Sequence, residues 1–298
     1  MQVWQIGEVR VTRIEEMIWP AYPPAEFFPD FDVETFARHA GWLAPHHYDP
    51  ATGRLLLSIH SWLVETPHHR ILIDACGGNH KQRPGMPDFH LQDRPFLQRL
   101  AAAGVTPDMI DVVMCTHLHV DHIGWNTQLK DGRWVPAFPN ATYVMSRVDH
   151  DLWRARAGAP DASEFRRQAY ADSILPVVEA GRVAMVEDGH DCDGALRIVA
   201  APGHTPGHFR IDLASAGRRA VFAADALHSP LQVPVWQWSA SSCEDPVLSR
   251  ATRHALLGHC AEMRSLMLPA HFGAPHAGLV RAKGDAFALD WVAGRNNG

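Results

Sequence analysis

Residues 115–126 read Cys-Thr-His-Leu-His-Val-Asp-His-Ile-Gly-Trp-Asn, which places His117, His119, Asp121 and His122 within six positions. Three imidazoles and a carboxylate crowded so closely compete for the same hydrogen-bond partners, and burying any of them unpaired is costly. A divalent metal ion resolves the crowding, because neutral histidine nitrogens and aspartate oxygens are ordinary zinc ligands. The preceding run, residues 110–115, is short and apolar and reads as a buried strand. The four side chains therefore stand in the loop at the mouth of a strand, where α/β proteins place their sites. The chain holds 20 histidines, so close pairs also arise without function. His46-His47 and His68-His69 lie near prolines and read as solvated turn residues.

The full His-x-His-x-Asp-His pattern after an apolar strand resembles the signature of the metallo-β-lactamase superfamily, and the resemblance extends over nearly the whole chain. It implies three further ligands in order, each at the end of a strand. Residues 196–200 are strand-like and lead into Ala201-Pro-Gly-His204-Thr-Pro-Gly-His208. Residues 220–224 form another apolar run, closed by Asp225, and residues 266–270 a third, closed by His271. By the resemblance, His117, His119 and His204 hold one metal, and Asp121, His122 and His271 hold a second. Asp225 bridges the two together with a water or hydroxide. The implied cofactor is two divalent ions, zinc by default. Asp74, which follows a strand over residues 70–73, matches an aspartate that supports the ligands from behind. Position 119 is not the glutamate of flavodiiron relatives, which disfavours a redox di-iron site. Position 225 is not the cysteine that several true β-lactamases carry.

Such a site implies a hydrolase. Metal coordination lowers the pKa of water from about 15.7 to about 7 and so makes a nucleophile at neutral pH. Asp121 could accept a proton after attack. Asp225-Ala-Leu-His228-Ser-Pro-Leu-Gln232 resembles the branch that contains lactonases and organophosphate-degrading hydrolases. Acyl-homoserine lactonases often carry a tyrosine three residues after the bridging aspartate; this chain has His228, as methyl-parathion-hydrolase-like members do. The expected reaction is attack on a lactone or carboxyl ester of a small neutral substrate, with Asp121, Asp225 and His228 as the catalytic side chains. His228 and His208 each read equally as a substrate contact or as a structural histidine. Phosphotriester, thioester and β-lactam hydrolysis on the same site stay open, as does a metal-binding member without hydrolase activity. Glyoxalase-type thioesterases are disfavoured, because no basic C-terminal module is visible to grip glutathione.

The elements that must position these residues follow from pattern and composition. The 298 residues are 46% hydrophobic, enough for one large core or two domains. The fold that the chain resembles is a single domain of this size, so the resemblance implies one α/β domain over 1–298, a four-layer αββα sandwich, which strands flanked by helices in both halves fit. A net charge of −6 and a pI of about 6.4, with no basic block, argue against a nucleic-acid partner. The N-terminus lacks a charged segment followed by an apolar one, and no run approaches the ~18 apolar residues of a membrane helix. Five scattered cysteines read as reduced thiols of a cytoplasmic protein, with Cys115 a small core residue. The expected partner is a small molecule, and a homodimer stays open. Residues 9–17 read as an opening strand, and 55–64 with 70–73 as a hairpin about Thr66-Pro67. Helices are expected over 94–103, 164–180 with a break at Pro176, and 245–263. Asp131-Gly132 marks a hairpin turn. The proline- and aromatic-rich segment 20–48 reads as a packed loop first, then as a lid or dimer arm. Residues 272–298 read as a closing strand and short tail. Trp125, Trp236 and Trp238 could wall an apolar pocket or fill core.

Overall fold

A computed structural model describes residues 1–296 of the chain. In the first half the strands are β1 (Gln2–Ile6), β2 (Val9–Pro20), β3 (Tyr48–Asp49), β4 (Arg54–Glu65), β5 (Arg70–Ile73) and β6 (Val112–Met114). They continue through a hairpin, β7 (Thr127–Lys130) and β8 (Arg133–Pro136), to β9 (Thr142–Ser146) and β10 (Val183–Val186). The second half holds β11 (Asp191–Cys192), β12 (Leu196–Ala200), β13 (Phe209–Ser215), β14 (Arg218–Ala224), β15 (Leu266–Pro269), β16 (Gly278–Lys283) and β17 (Ala286–Trp291), and β18 (Arg295–Asn296) follows. The helices are α1 (Pro24–Phe27), α2 (Val33–Leu43), α3 (Phe96–Ala102), α4 (Val120–Ile123), α5 (Arg147–Gly158), α6 (Glu164–Ser173), α7 (Leu175–Glu179) and α8 (Pro246–Met263).

Among the described residues the strands form two large sheets, ordered β10-β9-β6-β5-β4-β2-β1-β18 and β11-β12-β13-β14-β15-β16-β17. Side chains alternate faces along a strand, so each strand feeds two cores. In β4, Ile59 and Leu63 face α3 and its neighbours, while Trp62 and Val64 face the other sheet. In β14, Ala220 and Phe222 turn toward the first sheet, and Val221 and Ala223 turn toward α8 with Leu256, Leu257 and Cys260. Three cores thus separate four layers, helix, sheet, sheet and helix, as the sequence predicts. Each fully buried Val, Leu or Ile contributes about 1.5–3 kcal/mol relative to an exposed one. No helix among the described residues is long and apolar enough to cross a membrane.

The 55–64/70–73 hairpin forms as expected, with Trp62 opposite Ile73. The helix predicted over 164–180 breaks at Ile174, just ahead of Pro176, which then opens α7. Segment 20–48 departs from the packed-loop reading. Asp32 accepts a hydrogen bond from the Thr35 N–H at 2.7 Å and caps α2, whose Phe36 and Leu43 bury against Leu55, Leu57 and Trp238. The prolines cluster ahead of this helix and conceal it. Residues 272–296 are likewise more than one strand: β16 and β17 form a hairpin that completes the second sheet, and residues 297–298 lie outside the described residues. His46, His68 and His69 are exposed, but His47 is buried, stacked on Trp291 at 5.2 Å between ring centroids. That contact joins α2's exit to β17 and has no local sequence signal.

Candidate metal centre

The motif loop leaves β6, and α4 begins immediately after His119. Its path is fixed by close backbone crossings. A Cβ on Gly124 would stand 1.9 Å from the Gly77 carbonyl oxygen, so only glycine fits where the motif loop meets the loop after β5. That second loop is tied down by Glu16, a buried carboxylate accepting from the Gly77 and Gly78 N–H groups and from the Trp125 indole. On the other sheet, Gly203 lies at φ +127°, and a Cβ there would reach 2.2 Å from the Ser249 nitrogen on α8. This crossing seats His204. Ala224 and Asp74, both non-glycine residues in the left-handed region at φ 45° and 59°, turn the chain sharply at the ends of β14 and β5.

The structure brings all seven predicted ligands to one point. His117, His119 and His204 can converge on one ion, and Asp121, His122 and His271 on another, with ligand atoms in each set within 4.8 Å of one another. Asp225 stands between them. Its Oδ2 lies 3.2 Å from His204 Nε2 and 3.7 Å from His117 Nε2. Its Oδ1 lies 3.0 Å from His271 Nε2 and 3.3 Å from His122 Nε2. One carboxylate oxygen faces each set. His228 joins the first side, with Nε2 3.2 Å from Asp225 Oδ2, and forms a further ion-capable group with His204 and Asp225.

The outer nitrogens explain why the inner ones point inward. His122 Nδ1 donates to Asp74 Oδ2 at 2.9 Å, and His271 Nδ1 donates to the Ser58 carbonyl at 3.2 Å. His117 Nδ1 is 3.2 Å from Thr116 Oγ1, and His204 Nδ1 is 3.6 Å from Cys243 Sγ. Metal-binding histidines use their second nitrogen in this way. Asp74 also accepts from the Thr116 N–H and hydroxyl, as its expected supporting role requires. His208 is resolved as a positioning residue. Its Nδ1 donates to the Ala201 carbonyl, and its Nε2 accepts the Asp225 N–H at 3.1 Å. Asp149 was not visible from sequence; it accepts from Thr205 Oγ1 and the Gly207 N–H, both at 2.7 Å, and so holds the His204 loop. Its one local signal is the helix-capping spacing with Ser146.

The donor set fits divalent ions on the structure's own terms. His117 Nε2, His122 Nε2, Asp225 Oδ1 and both ring nitrogens of His228 are buried without a hydrogen-bond partner, although such groups are normally satisfied. Burial pushes His117 well below its ordinary range, His119 to about 3 and His204 to about 4, so their lone pairs are free at neutral pH. Burial acts the same way on His122 and His271, but the carboxylates of Asp225 and Asp121 outweigh it and raise both. Burial alone would raise Asp225; His271, His122, His228 and His204 overcome it and hold the carboxyl well below the usual range. Asp225 is thus an anion that must be met by positive charge.

A profile of the Metallo-beta-lactamase superfamily matches residues 54–259, a span holding every candidate ligand except His271. The chain belongs to the metallo-β-lactamase superfamily. The solved structure of a superfamily hydrolase, AbOPH, superposes with a TM-score of 0.83 at 24% identity, covering 99% of this chain and 98% of that one. The dizinc quorum-quenching lactonase AidC, solved with a homoserine product, gives 0.80 at 21% identity over 99% and 98%. Both show the fold. The N-acyl homoserine lactonase AttM of Azorhizobium caulinodans is 30% identical over 135 residues, 42% of this chain and 45% of that protein. The N-acyl homoserine lactonase of Bacillus cereus is 24% identical over 169 residues, 52% and 58%. The chain therefore spans about half the length of these curated relatives.

A cavity of about 410 Å³ opens over His119, Asp121, Asp225, His228 and His271. Its walls are Trp19, Phe27, Leu57, Phe89, Trp153 and Phe165, drawn from β2, α1, β4, the loop after β5, α5 and α6. The tryptophans suggested by sequence are not among them. Trp125 stacks on Phe96, Trp238 lies tilted beside Phe28, and Trp236, half-buried at the edge of the α8 core, lies tilted beside His254, so none of the three lines the cavity. Segment 20–48 serves as a wall, since Phe27 packs edge-on against His228 at 5.6 Å.

Proposed function

We propose that this chain is a dinuclear, metal-dependent hydrolase of small, neutral lactones and carboxyl esters. The observation that carries the reading is Asp225, with one carboxylate oxygen toward each histidine set. His117, His119 and His204 would hold one ion, Asp121, His122 and His271 the other, and Asp225 both. Zinc suits this nitrogen-and-oxygen donor set. When bound, the ions supply Lewis-acid polarisation of a carbonyl and a water acidified enough to attack at neutral pH.

The protein's own groups do the rest. Asp121 is half-buried, where most of the ligand set is buried, and lines the cavity, where its carboxylate can take up the proton released on attack. His228 also lines the cavity and offers an imidazole N–H to the oxygen on which negative charge develops. The aromatic walls exclude water and bury an acyl or aryl group. No lysine or arginine lines the cavity among the described residues, so an anionic substrate finds no side-chain cation there. That supports neutral substrates over nucleic acids and over β-lactams, which carry a carboxylate. The lactonase relatives support a lactone, and His228 in place of their frequent tyrosine supports a substrate other than an acyl-homoserine lactone.

The test is elemental analysis of protein purified without chelators, followed by a panel of lactones, aryl esters, β-lactams, phosphotriesters and nucleic acid. About two divalent ions per chain and preferential cleavage of lactones or aryl esters are expected. Trace metal only, or nuclease activity that disappears in His119→Ala, would overturn the reading.

A further inference from the structure

The strands that carry Asp225 and His271 have another end. β14 begins at Arg218 and Arg219, and β15 begins just after Arg264, in a groove of about 590 Å³ distinct in lining from the metal cavity. Arg295 on β18 lines the same groove, whose apolar surfaces include Trp4, 4% exposed, and Leu279, 37% exposed. All four arginines are exposed, and among the described residues none makes a side-chain hydrogen bond or ion pair. No acidic residue lines the groove.

Four such arginines converge on one groove in a chain of net charge −6. Arg10, Arg156, Arg250 and Arg281 each find a carboxylate, Glu65, Glu244, Asp30 and Asp290 respectively. Four unpaired guanidinium groups around one apolar-walled concavity repel one another and focus a positive potential. An anion relieves that repulsion. Each guanidinium presents a planar fork of donors suited to phosphate or carboxylate oxygens. Four forks offer more donors than the two oxygens of a carboxylate can accept, whereas a phosphomonoester presents three terminal oxygens. The apolar surface below the rim calls for more than an inorganic ion, and the volume falls in the range of small-molecule sites.

We propose that this groove is a binding site for a soluble amphiphilic phosphomonoester, its head among Arg218, Arg219, Arg264 and Arg295 and its apolar body against Trp4 and Leu279. The proposal is independent of the hydrolase reading. It is tested by calorimetric titration of the purified protein with octyl phosphate, using octanol, inorganic phosphate and anionic phospholipid vesicles as separate arms. Saturable one-to-one binding is expected, with octanol and inorganic phosphate each weaker by about tenfold or more. The double variants Arg218→Gln/Arg264→Gln and Arg219→Gln/Arg295→Gln should each weaken octyl phosphate by about tenfold or more. All four positions affected are surface side chains, and an unchanged melting temperature in both variants checks that each folds. His119→Ala should leave the binding intact. No saturable binding, unchanged affinity in the arginine variants, or loss of binding in His119→Ala would overturn the proposal. Binding to vesicles without binding to octyl phosphate would overturn it in favour of a membrane surface.

Discussion

His117, His119, Asp121 and His122 leave a single loop after β6, whereas His204, Asp225 and His271 leave three different strand ends of the second sheet. The first group is positioned by local backbone: four residues on one turn, backed by Asp74. The second group is positioned by registers among β12, β13, β14 and β15 and by supports such as His208 and Asp149, which belong to other elements. A lesion in the first group should act through the ligand lost. A lesion in the second can also act through the packing that delivers the ligand.

Asp225 is where the two groups meet, and it should give the largest effect. Asp225→Asn replaces one anionic oxygen by a neutral amide nitrogen, and kcat should fall by about 10³-fold or more, beyond the ~10²–10³ of removing one positioned donor. Circular dichroism should stay native. Normal turnover at full metal loading would remove Asp225 from the bridge. The single-ligand variants His119→Ala and His271→Ala compare the groups directly: each should drop from about two bound ions to about one, read by elemental analysis. Retention of both ions in either variant would break the proposed partition.

His228→Ala should lower kcat by about 10²–10³ with metal content held, because one N–H near the developing charge is lost. Metal content, melting temperature and kcat measured on one preparation decide the matter; a less stable protein with normal kcat would make His228 structural. The supports come next. Asp74→Asn and His208→Gln should each weaken metal affinity or activity by about 10–100-fold, the range for residues that orient ligands. Asp74 should give the larger loss, since it holds His122 directly and His208 holds only the backbone of Asp225. Equal loss in both would mean that the two groups depend on their supports alike.

The smallest effect lies outside the centre. Burial pushes His47 from 6.5 to about 3. The unfolded chain therefore binds a proton that the folded chain refuses throughout that window, and stability falls as pH drops from 6.5 toward 3. The slope from this group is at most about 1.4 kcal/mol per pH unit. His47→Phe keeps a ring against Trp291 and should make the acid side of a melting-temperature profile shallower. His276, likewise buried and pushed to about 3, keeps part of the slope in place.

Much of the centre was legible because its residues are dense and adjacent to recognisable strands. The apolar runs before His117, Asp225 and His271 alternate between two cores, so pattern located the strands, and the family resemblance told which strand ends carry ligands. Segment 20–48 reads as a loop because the prolines ahead of α2 conceal a helix start that Asp32 supplies. Trp125, Trp236 and Trp238 were poor guides to the cavity because proximity in sequence does not tell which sheet face or helix side a ring takes. The groove arginines gave no sequence signal at all, being spread from β14 to β18.

By itself, the sequence determined the dense motif after β6 and the apolar strands that end at Asp225 and His271, because side-chain chemistry and the two-residue strand period are local properties; the order of the ligands and the four layers came through the family resemblance that the motif carries. Only the tertiary structure decided which oxygen of Asp225 faces which histidines, that His208 holds the Asp225 backbone, and that Phe27 and Trp153 rather than other aromatics wall the cavity. Those facts depend on sheet-to-sheet packing and loop crossings, where residues far apart in the chain meet because close-packed cores leave few ways to fit.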